Sequence, residues 1–229
     1  MADPNRALFE SVVRLLAPVL DELVFVGGCT TGLFITDSAA GGIRPTRDVD
    51  AIVDVASYSK YTALAERLRG LGLAQDTTPG APLCRWRRDD LIVDVMPVNE
   101  RILGFSNRWY PAAIETAQSL NIAGHDVRVV TPALFIATKL EAFHGRGGDD
   151  VWASHDLEDI IAVVDGRPEI ANDIAAADAE VRGYIATEIR ALLENPDFAE
   201  ALAGFLLPDR ASQARRGLLE DRLRQLSTQ

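Results

Sequence analysis

Cysteine, histidine and lysine are scarce in this chain. Its 229 residues include 2 cysteines and 3 histidines, and Cys29 and Cys84 lie far apart without a Cys-x-x-Cys pair. This spacing excludes a disulfide framework and a structural zinc site. The lysines are Lys60 and Lys139, whereas arginine is abundant. We therefore expect an arginine at any phosphate-binding position, with Lys139 as the exception to consider.

Long apolar runs are also missing. No stretch approaches the roughly 18–20 apolar residues that a membrane-spanning helix needs. The first residues lack the basic-then-apolar order of a signal peptide. With 48% hydrophobic and 25% charged residues, the composition is that of a folded globular chain. These features predict a cytoplasmic protein with no membrane partner.

Acidic residues outnumber basic ones by 34 to 23, which gives a formal net charge of −11. Such a charge repels a polyanion unless basic residues are gathered locally. A general nucleic-acid-binding function is therefore disfavoured.

Hydrophobic periodicity divides the chain into two halves, the first with strands and interspersed helices and the second almost wholly helical. The predicted strands cover 23–26, 48–53, 83–88, 91–96, 120–123 and 127–130, the last four as two hairpins. The predicted helices cover 4–19, 29–36, 58–69, 133–143, 154–164, 169–193, 198–206 and 208–226. We expect an α/β (α+β) fold, a mixed sheet flanked by helices, with a core at 1–130 and a helical C-terminal region at 131–229 that closes the cleft.

Gly27 and Gly28 follow the apolar run 23–26 and precede a predicted helix. Backbone N–H groups at such a helix start are unobstructed by side chains and favour a bound anion, so a phosphate site is one interpretation. A tight turn between strand and helix explains the same pair without a ligand, because a match this short has little specificity.

Three aspartates occupy predicted strands. Asp48 and Asp50 should face the same side of a strand, about 6.6 Å apart, where they repel each other unless a cation such as Mg²⁺ compensates. The alternative is a solvated strand end. Asp94 lies in the otherwise apolar strand 91–96 and needs a partner there. The arginines that would form a simple salt bridge to it are Arg85, Arg87 and Arg88.

Together, the glycine turn and the three carboxylates provide a phosphate site and ligands for two metal ions. This pattern resembles the nucleotidyltransferases of the polymerase-β-like superfamily, in which hydrophobic-Gly-Gly/Ser is followed by Asp-x-Asp/Glu and a third carboxylate. The matching segments are Val26-Gly27-Gly28, Asp48-Val49-Asp50 and Asp94, with an insertion at 38–44. The lead-in Arg44-Pro45-Thr46-Arg47 resembles that of bacterial members.

Two segments of the second half resemble the AbiEii-type toxin nucleotidyltransferases most closely. The matching residues are Lys139, Arg146, Asp156 and Asp159. His155 stands where that family usually has lysine, and the whole resemblance covers roughly 24–165. It implies that Lys139 and Arg146 contact the nucleotide and that Asp156 orients Lys139 or the acceptor. A surface lysine, a loop arginine and a first-turn helix carboxylate are the alternatives.

The resemblance implies a Mg²⁺-dependent enzyme, with two ions and Mn²⁺ as a substitute, that transfers a nucleoside monophosphate from an NTP. The implied catalytic residues are Asp48, Asp50, Asp94 and Lys139, the three aspartates being the metal ligands. The implied nucleotide-binding residues are Gly27, Gly28, Thr46, Arg47, Lys139, Arg146 and Asp156.

The resemblance further implies a toxin–antitoxin or phage-defence role, with tRNA or another RNA as acceptor and a cognate antitoxin protein as partner. One alternative is a small-molecule nucleotidyltransferase of the aminoglycoside-modifying type, which the acidic charge suits better. Another is a non-catalytic nucleotide-binding or antitoxin-like protein.

Overall fold

The computed structural model describes residues 3–55, 57–145 and 150–229, which fold as two compact units. The sheet unit consists of Pro4–Thr30 and Pro45–Thr131. The helical unit consists of Thr31–Arg44 and Pro132–Gln229, together with Asp3. The chain therefore enters the helical unit twice, once in a short early segment and once for its whole second half.

Regular structure covers most of the described chain. The strands are β1 (Leu23–Val26), β2 (Val49–Val53), β3 (Ala74–Gln75), β4 (Arg85–Arg88), β5 (Leu91–Pro97), β6 (Gln118–Ile122) and β7 (His125–Val129). The α-helices are α1 (Arg6–Leu15), α2 (Thr31–Phe34), α3 (Tyr58–Gly70), α4 (Glu100–Leu103), α5 (Tyr110–Glu115), α6 (Pro132–Gly145), α7 (His155–Gly166), α8 (Ile170–Ala175), α9 (Ala179–Glu194), α10 (Pro196–Ala201), α11 (Arg210–Ala214) and α12 (Arg216–Leu226). Short 3₁₀ helices occupy Ala17–Glu22, Gly28–Thr30 and Leu202–Phe205. None of the described helices combines the length and the apolar character needed to cross a membrane.

The described strands form one mixed sheet in the order β3-β4-β5-β2-β1-β7-β6. The pairs β2–β5 and β1–β7 are parallel, and the remaining neighbours are antiparallel. All four residues of β1 are buried, as expected of a central strand covered on both faces. The predicted mixed sheet and helical C-terminal region are thereby confirmed.

Both predicted hairpins are present. The turn between β4 and β5 places Asp89 at φ 53°. The turn between β6 and β7 consists of Ala123 and Gly124, whose φ angles of 53° and 84° suit a two-residue hairpin. The prediction that His125 belongs to this turn was wrong, because His125 is the first residue of β7 and pairs with Ile122.

Two predicted C-terminal helices were too long, because each is divided in the structure. The predicted helix 169–193 is α8 followed by α9, and the break occurs where the Asp178 side chain accepts a hydrogen bond from the N–H of Glu180 at 2.9 Å. A capping side chain at such a break competes with a continuous helix. The predicted helix 208–226 is divided into α11 and α12, although no side-chain cap marks the start of α12.

The early helices also differ from the prediction. The helix expected from Pro4 begins at Arg6, and its N-cap position is Asn5. The helix expected at 29–36 is reduced to the 3₁₀ turn Gly28–Thr30 and the single turn α2. The short elements β3, α4 and α5 were not predicted, because elements of two to six residues leave little periodicity to detect.

The helical unit is organised around α6, whose residues from Pro132 to Leu140 are all buried. Phe135 of this helix packs against Phe34 of α2 with ring centroids 5.0 Å apart. The N–H groups of Thr36 and Asp37 both donate to the carbonyl of Gly166 at 2.9 Å. The early segment 31–44 is thus an integral part of the helical core.

Arg215 ties three parts of the helical unit together. Its Nε donates to Asp165 Oδ1 at 2.8 Å and its Nη2 to Asp37 Oδ2 at 2.7 Å. The Asp165 side chain is 3% exposed, so it depends on this guanidinium for charge compensation.

We expect Arg215→Met to lower the free energy of unfolding of the full chain by about 3–5 kcal/mol, because Asp165 is left buried with its charge uncompensated. Urea denaturation followed by circular dichroism measures the change. The control is Arg224→Met in the same C-terminal segment, where the arginine is 60% exposed and its ion pairs are worth about 1 kcal/mol or less. Equal losses in the two variants would contradict the assignment.

Candidate functional site

One row of paired residues crosses four neighbouring strands of the sheet. Val26 of β1 pairs with Asp50 of β2, Asp50 pairs with Asp94 of β5, and Asp94 pairs with Arg85 of β4. Residues paired in register project from the same face of a sheet. The row therefore brings two acidic side chains and one basic side chain together on one face.

Arg85 joins two of the three predicted aspartates. Its Nε donates to Asp94 Oδ1 at 2.9 Å, and its Nη2 donates to Asp94 Oδ2 at 2.7 Å and to Asp48 Oδ2 at 2.9 Å. The contact with Asp94 is bidentate, the strongest geometry between a guanidinium and a carboxylate. These hydrogen bonds, those to Asp94 above all, raise the pKa of Arg85 above its usual value. Of the candidate salt-bridge partners of Asp94, the structure selects Arg85.

Asp48 precedes β2 and is oriented by its own neighbours. The Thr46 hydroxyl donates to Asp48 Oδ1 at 2.8 Å, which leaves Oδ2 for Arg85. The Thr46 N–H donates in turn to the side chain of Asn5 at 2.8 Å. Asn5 is 1% exposed, so the segment before β2 is anchored to a buried amide from the start of the chain.

Gly27 allows Asp50 to occupy its position. A Cβ atom on Gly27 would lie 1.9 Å from Asp50 Oδ2, and the backbone of Gly27 has φ 74°, in the left-handed region. Gly28 is buried and begins a 3₁₀ turn of three residues, so no long helix follows directly. Gly27 is therefore required by a close side-chain approach, and the contact of Gly27 and Gly28 with phosphate stays a prediction.

The three aspartates offer hard oxygen ligands of the kind that Mg²⁺ prefers. Within the described residues, however, no three acidic, histidine or cysteine side chains are arranged as they stand to hold a metal ion. At this site the Arg85 guanidinium binds oxygens of Asp48 and Asp94. The donor chemistry of the three carboxylates fits a divalent cation.

Cys84 lies next to Arg85 and is buried. Burial, and then the negative charges of Asp94 and Asp50, raise the pKa of the thiol to about 12. A thiol of this kind stays protonated at neutral pH in the absence of a bound metal ion, so it is a poor nucleophile. The chemistry of this face is therefore that of carboxylates. We call Gly27, Thr46, Asp48, Asp50, Arg85 and Asp94 the sheet cluster.

A second group of charged residues lies in the helical unit. The ammonium group of Lys139 contacts Asp156 Oδ1 at 2.9 Å and Asp159 Oδ2 at 2.7 Å, and all three side chains are buried. Burial by itself would lower the pKa of Lys139, but the carboxylates of Asp159 and Asp156 outweigh it and the net shift is upward. Lys139 is therefore held in its charged form.

Arg44 completes this group. Its Nη2 donates to Asp159 Oδ2 at 3.1 Å, so Asp159 accepts from both Lys139 and Arg44. Asp156 lies in the first turn of α7, where the Ser154 hydroxyl caps the helix by accepting from the N–H of Leu157 at 3.2 Å. We call Arg44, Lys139, Asp156 and Asp159 the helix cluster.

The predicted site residues are thus distributed over two clusters, one in each unit. Asp48, Asp50, Asp94, Thr46 and Gly27 come together in the sheet cluster, and Lys139 and Asp156 come together in the helix cluster. Arg47, which precedes Asp48 in the sequence, is exposed, and Gly28, which follows Gly27, is buried. Arg146 lies outside the described residues.

Sequence reasoning missed Asn5, and it named Arg85 and Asp159 without selecting the first or giving the second a role at the site. Asn5 belongs to no sequence motif, and its contact with Thr46 joins positions that are 41 residues apart. The sequence does not distinguish Arg85 from the other candidate arginines, and the pairing of β4 with β5 selects it by placing it opposite Asp94. Asp159 had a usable signal, because it lies three residues after Asp156 and thus on the same face of a helix.

The chain is similar in structure to an antigenic nucleotidyltransferase-like protein from Paracoccidioides brasiliensis, with 20% sequence identity and a TM-score of 0.48. The match covers 85% of this chain and 92% of that chain. No protein-family model matches the chain, and neither does a curated protein. The function is therefore inferred from the residues of the two clusters themselves.

We expect Gly27→Ala to destabilise the chain more than a change of backbone preference alone explains. Gly80→Ala is the matched control, since Gly80 has φ 85° but open space around the position of its Cβ. The control should lose about 1–2 kcal/mol, and Gly27→Ala about 1–3 kcal/mol more because Asp50 must be displaced. Urea denaturation measures both, and equal losses would contradict a steric role for Gly27.

Lys139 should stabilise the fold below the pH at which lysine loses its proton. Because the pKa of Lys139 is raised above the ordinary 10.5, its contribution is fully present below that pH and is lost as the pH rises through the higher folded value. Lys139→Met should therefore be destabilised at pH 8, and its difference from the wild type should shrink as the pH rises above 10.5. Urea midpoints measured against pH test this.

The control for this series is Lys60→Met, which removes an exposed lysine. It should follow the wild type at every pH. A difference between Lys139→Met and wild type that stays constant through the alkaline range would show that Lys139 stabilises the unit by packing and not by charge.

Proposed function

We propose that this chain is a metal-dependent nucleotidyltransferase, which transfers a nucleoside monophosphate from an NTP to an acceptor hydroxyl and releases pyrophosphate. The observation that supports this most directly is the row of the sheet cluster, in which Asp50 and Asp94 are paired in register and Asp48 is bound to the same arginine as Asp94. Three aspartates on one sheet face, beside a glycine without room for a side chain, suit an anionic substrate that is bound through cations.

Asp48, Asp50 and Asp94 would hold the divalent ions. Two Mg²⁺ ions bound there would neutralise the triphosphate and stabilise the attacking and leaving oxygens at the α-phosphorus. Thr46 fixes the Asp48 carboxylate through its hydroxyl, and the buried Asn5 fixes the backbone of Thr46. Thr46 and Asn5 therefore hold the Asp48 carboxylate in place before any substrate arrives.

The reaction also needs a base that accepts the proton of the acceptor hydroxyl. We assign it to Asp94, whose carboxylate is buried at 6% exposure and lies at the centre of the row. As the acceptor oxygen forms its bond to the α-phosphorus, its proton passes to this carboxylate and the bond to pyrophosphate breaks.

The phosphate side of the site is assigned to the turn that follows β1. Gly27 and Gly28 present backbone without side chains, and exposed Arg47 adds a positive charge one residue before Asp48. A contribution of Lys139 to nucleotide binding stays a prediction, because Asp156 and Asp159 already bind its ammonium group.

For the acceptor we propose RNA, with tRNA as the first candidate, and a role as the toxin of a toxin–antitoxin or phage-defence system. This finer proposal is supported by the motifs shared with AbiEii-type enzymes around Lys139 and Asp156. A second candidate is a cationic small molecule such as an aminoglycoside, which the net charge of −11 favours because it attracts cations and repels RNA.

The test is incubation with each NTP labelled at the α-phosphate, Mg²⁺ and either total cellular RNA or an aminoglycoside mixture. Wild type should label one acceptor class, and Asp48→Ala should reduce labelling by about a hundredfold or more, since several kcal/mol of transition-state stabilisation depend on the ions. Asp54→Ala, which removes an exposed aspartate just after β2, is the matched control and should label as the wild type does.

Equal labelling by wild type and Asp48→Ala would overturn the catalytic assignment. Label in the aminoglycoside and not in RNA would select the second candidate. An absence of labelling and of NTP binding under all conditions would favour a non-catalytic antitoxin-like protein.

A further inference from the structure

The Arg85 side chain is committed to the aspartates of the sheet cluster. It is the first residue of β4, it stands opposite Asp94 in register, and its three hydrogen bonds described above all end on Asp94 or Asp48. The side chain is 24% exposed, so part of it is accessible to solvent. Arg85 is thus positioned both to bind the carboxylates and to leave them.

A guanidinium and a divalent ion cannot occupy this position at once. Both oxygens of Asp94 accept from Arg85, and the same Nη2 lies 2.7 Å from Asp94 Oδ2 and 2.9 Å from Asp48 Oδ2. A Mg²⁺ ion shared by these two carboxylates would lie about 2.0–2.1 Å from the same oxygens. The nitrogen therefore fills the space that a bridging ion would take.

The charges of the sheet cluster also indicate that Arg85 and divalent ions exclude each other. Without a metal ion, carboxylates on adjacent strands repel each other, and Arg85 offsets that repulsion. With divalent ions bound, the aspartates no longer need the guanidinium, and the guanidinium and the ions repel each other. The two kinds of cation therefore replace one another and do not bind together.

We propose that Arg85 is a positioning residue that holds Asp48 and Asp94 in place in the metal-free protein and is displaced from them when divalent ions bind. This inference rests on the proposed function, because it concerns the same three aspartates. It gives Arg85 two opposite effects: it stabilises the metal-free fold, and it weakens the affinity of the site for metal.

The first experiment compares metal-free stability and metal affinity in the full-length chain. Mn²⁺ binding is measured from the loss of the free-ion electron paramagnetic resonance signal, and thermal unfolding is measured with chelator and with Mg²⁺. Arg85→Gln should unfold at a lower temperature in chelator, bind Mn²⁺ at least about tenfold more tightly than wild type, and gain more from Mg²⁺, since no charge-assisted hydrogen bonds must be broken first. Arg85→Lys should fall between the two.

The matched control is Arg87→Gln, an arginine on the same strand, 47% exposed, that pairs with Asp76 at 3.6 Å and not with the sheet cluster. It should bind Mn²⁺ as the wild type does. If the wild type binds Mn²⁺ and Arg85→Gln binds it no more tightly, Arg85 is a structural ion pair and this inference fails while the proposed function stands. If neither protein binds Mn²⁺, the metal site of the proposed function fails as well.

A second measurement follows Arg85 in the wild type, and the variant Arg85→Lys serves only to assign the signal. The Arg85 Nε–H, which donates to Asp94 at 2.9 Å, should give a distinct side-chain NMR signal that is absent from Arg85→Lys. Addition of Mg²⁺ should move this signal to the position of a solvated arginine. A signal that stays unchanged at a Mg²⁺ concentration that saturates the thermal stabilisation would overturn the inference.

Discussion

The sheet unit is organised by the need to keep negative charges together on adjacent strands. Asp50 and Asp94 are neighbours by register, and Asp48 is drawn to them through a shared arginine. Each of these carboxylates would be expensive to keep charged without a partner. The Arg85 guanidinium compensates the charges of Asp48 and Asp94, and the Thr46 hydroxyl donates to Asp48. The absence of a side chain on Gly27 leaves room for Asp50.

The helix cluster meets the same constraint in a different way. Lys139 and Arg44 face Asp156 and Asp159, so basic and acidic side chains are balanced, and the carboxylates and the lysine are buried. A balanced and buried group of this kind specifies the packing of helices α6 and α7. In the sheet cluster, acidic side chains outnumber the arginine and part of the cluster is open to solvent. This difference in charge balance is consistent with the divalent cations of the proposed function.

Much of this arrangement could be predicted from the sequence because it depends on local pattern. The apolar run before Gly27 is expected to be buried. An aspartate inside an apolar strand, such as Asp94, needs a partner that compensates its charge. The spacing of Asp48 and Asp50 likewise fixes the face on which both lie. Features of this kind follow from the period of a strand and the penalty for burying charge.

What could not be predicted depends on contacts between distant positions. The role of Asn5 exists only because the fold brings it to Thr46, and the choice of Arg85 over its neighbours depends on a register that hydrophobicity alone leaves open. The division between α8 and α9 was hidden for another reason, since a single capping aspartate at 178 decides it against a favourable periodicity.

The early segment of the helical unit has a consequence for how the chain is made. Thr36 bonds to Glu169, 133 residues later, and its neighbour Asp37 is bound by Arg215. At about 5–20 residues per second, a ribosome needs on the order of ten seconds to supply those partners. Until then, residues 31–44 leave the exit tunnel without the partners that Glu169 and Arg215 supply, so a nascent chain of this protein has an interval in which chaperone capture, or proteolysis, competes with folding.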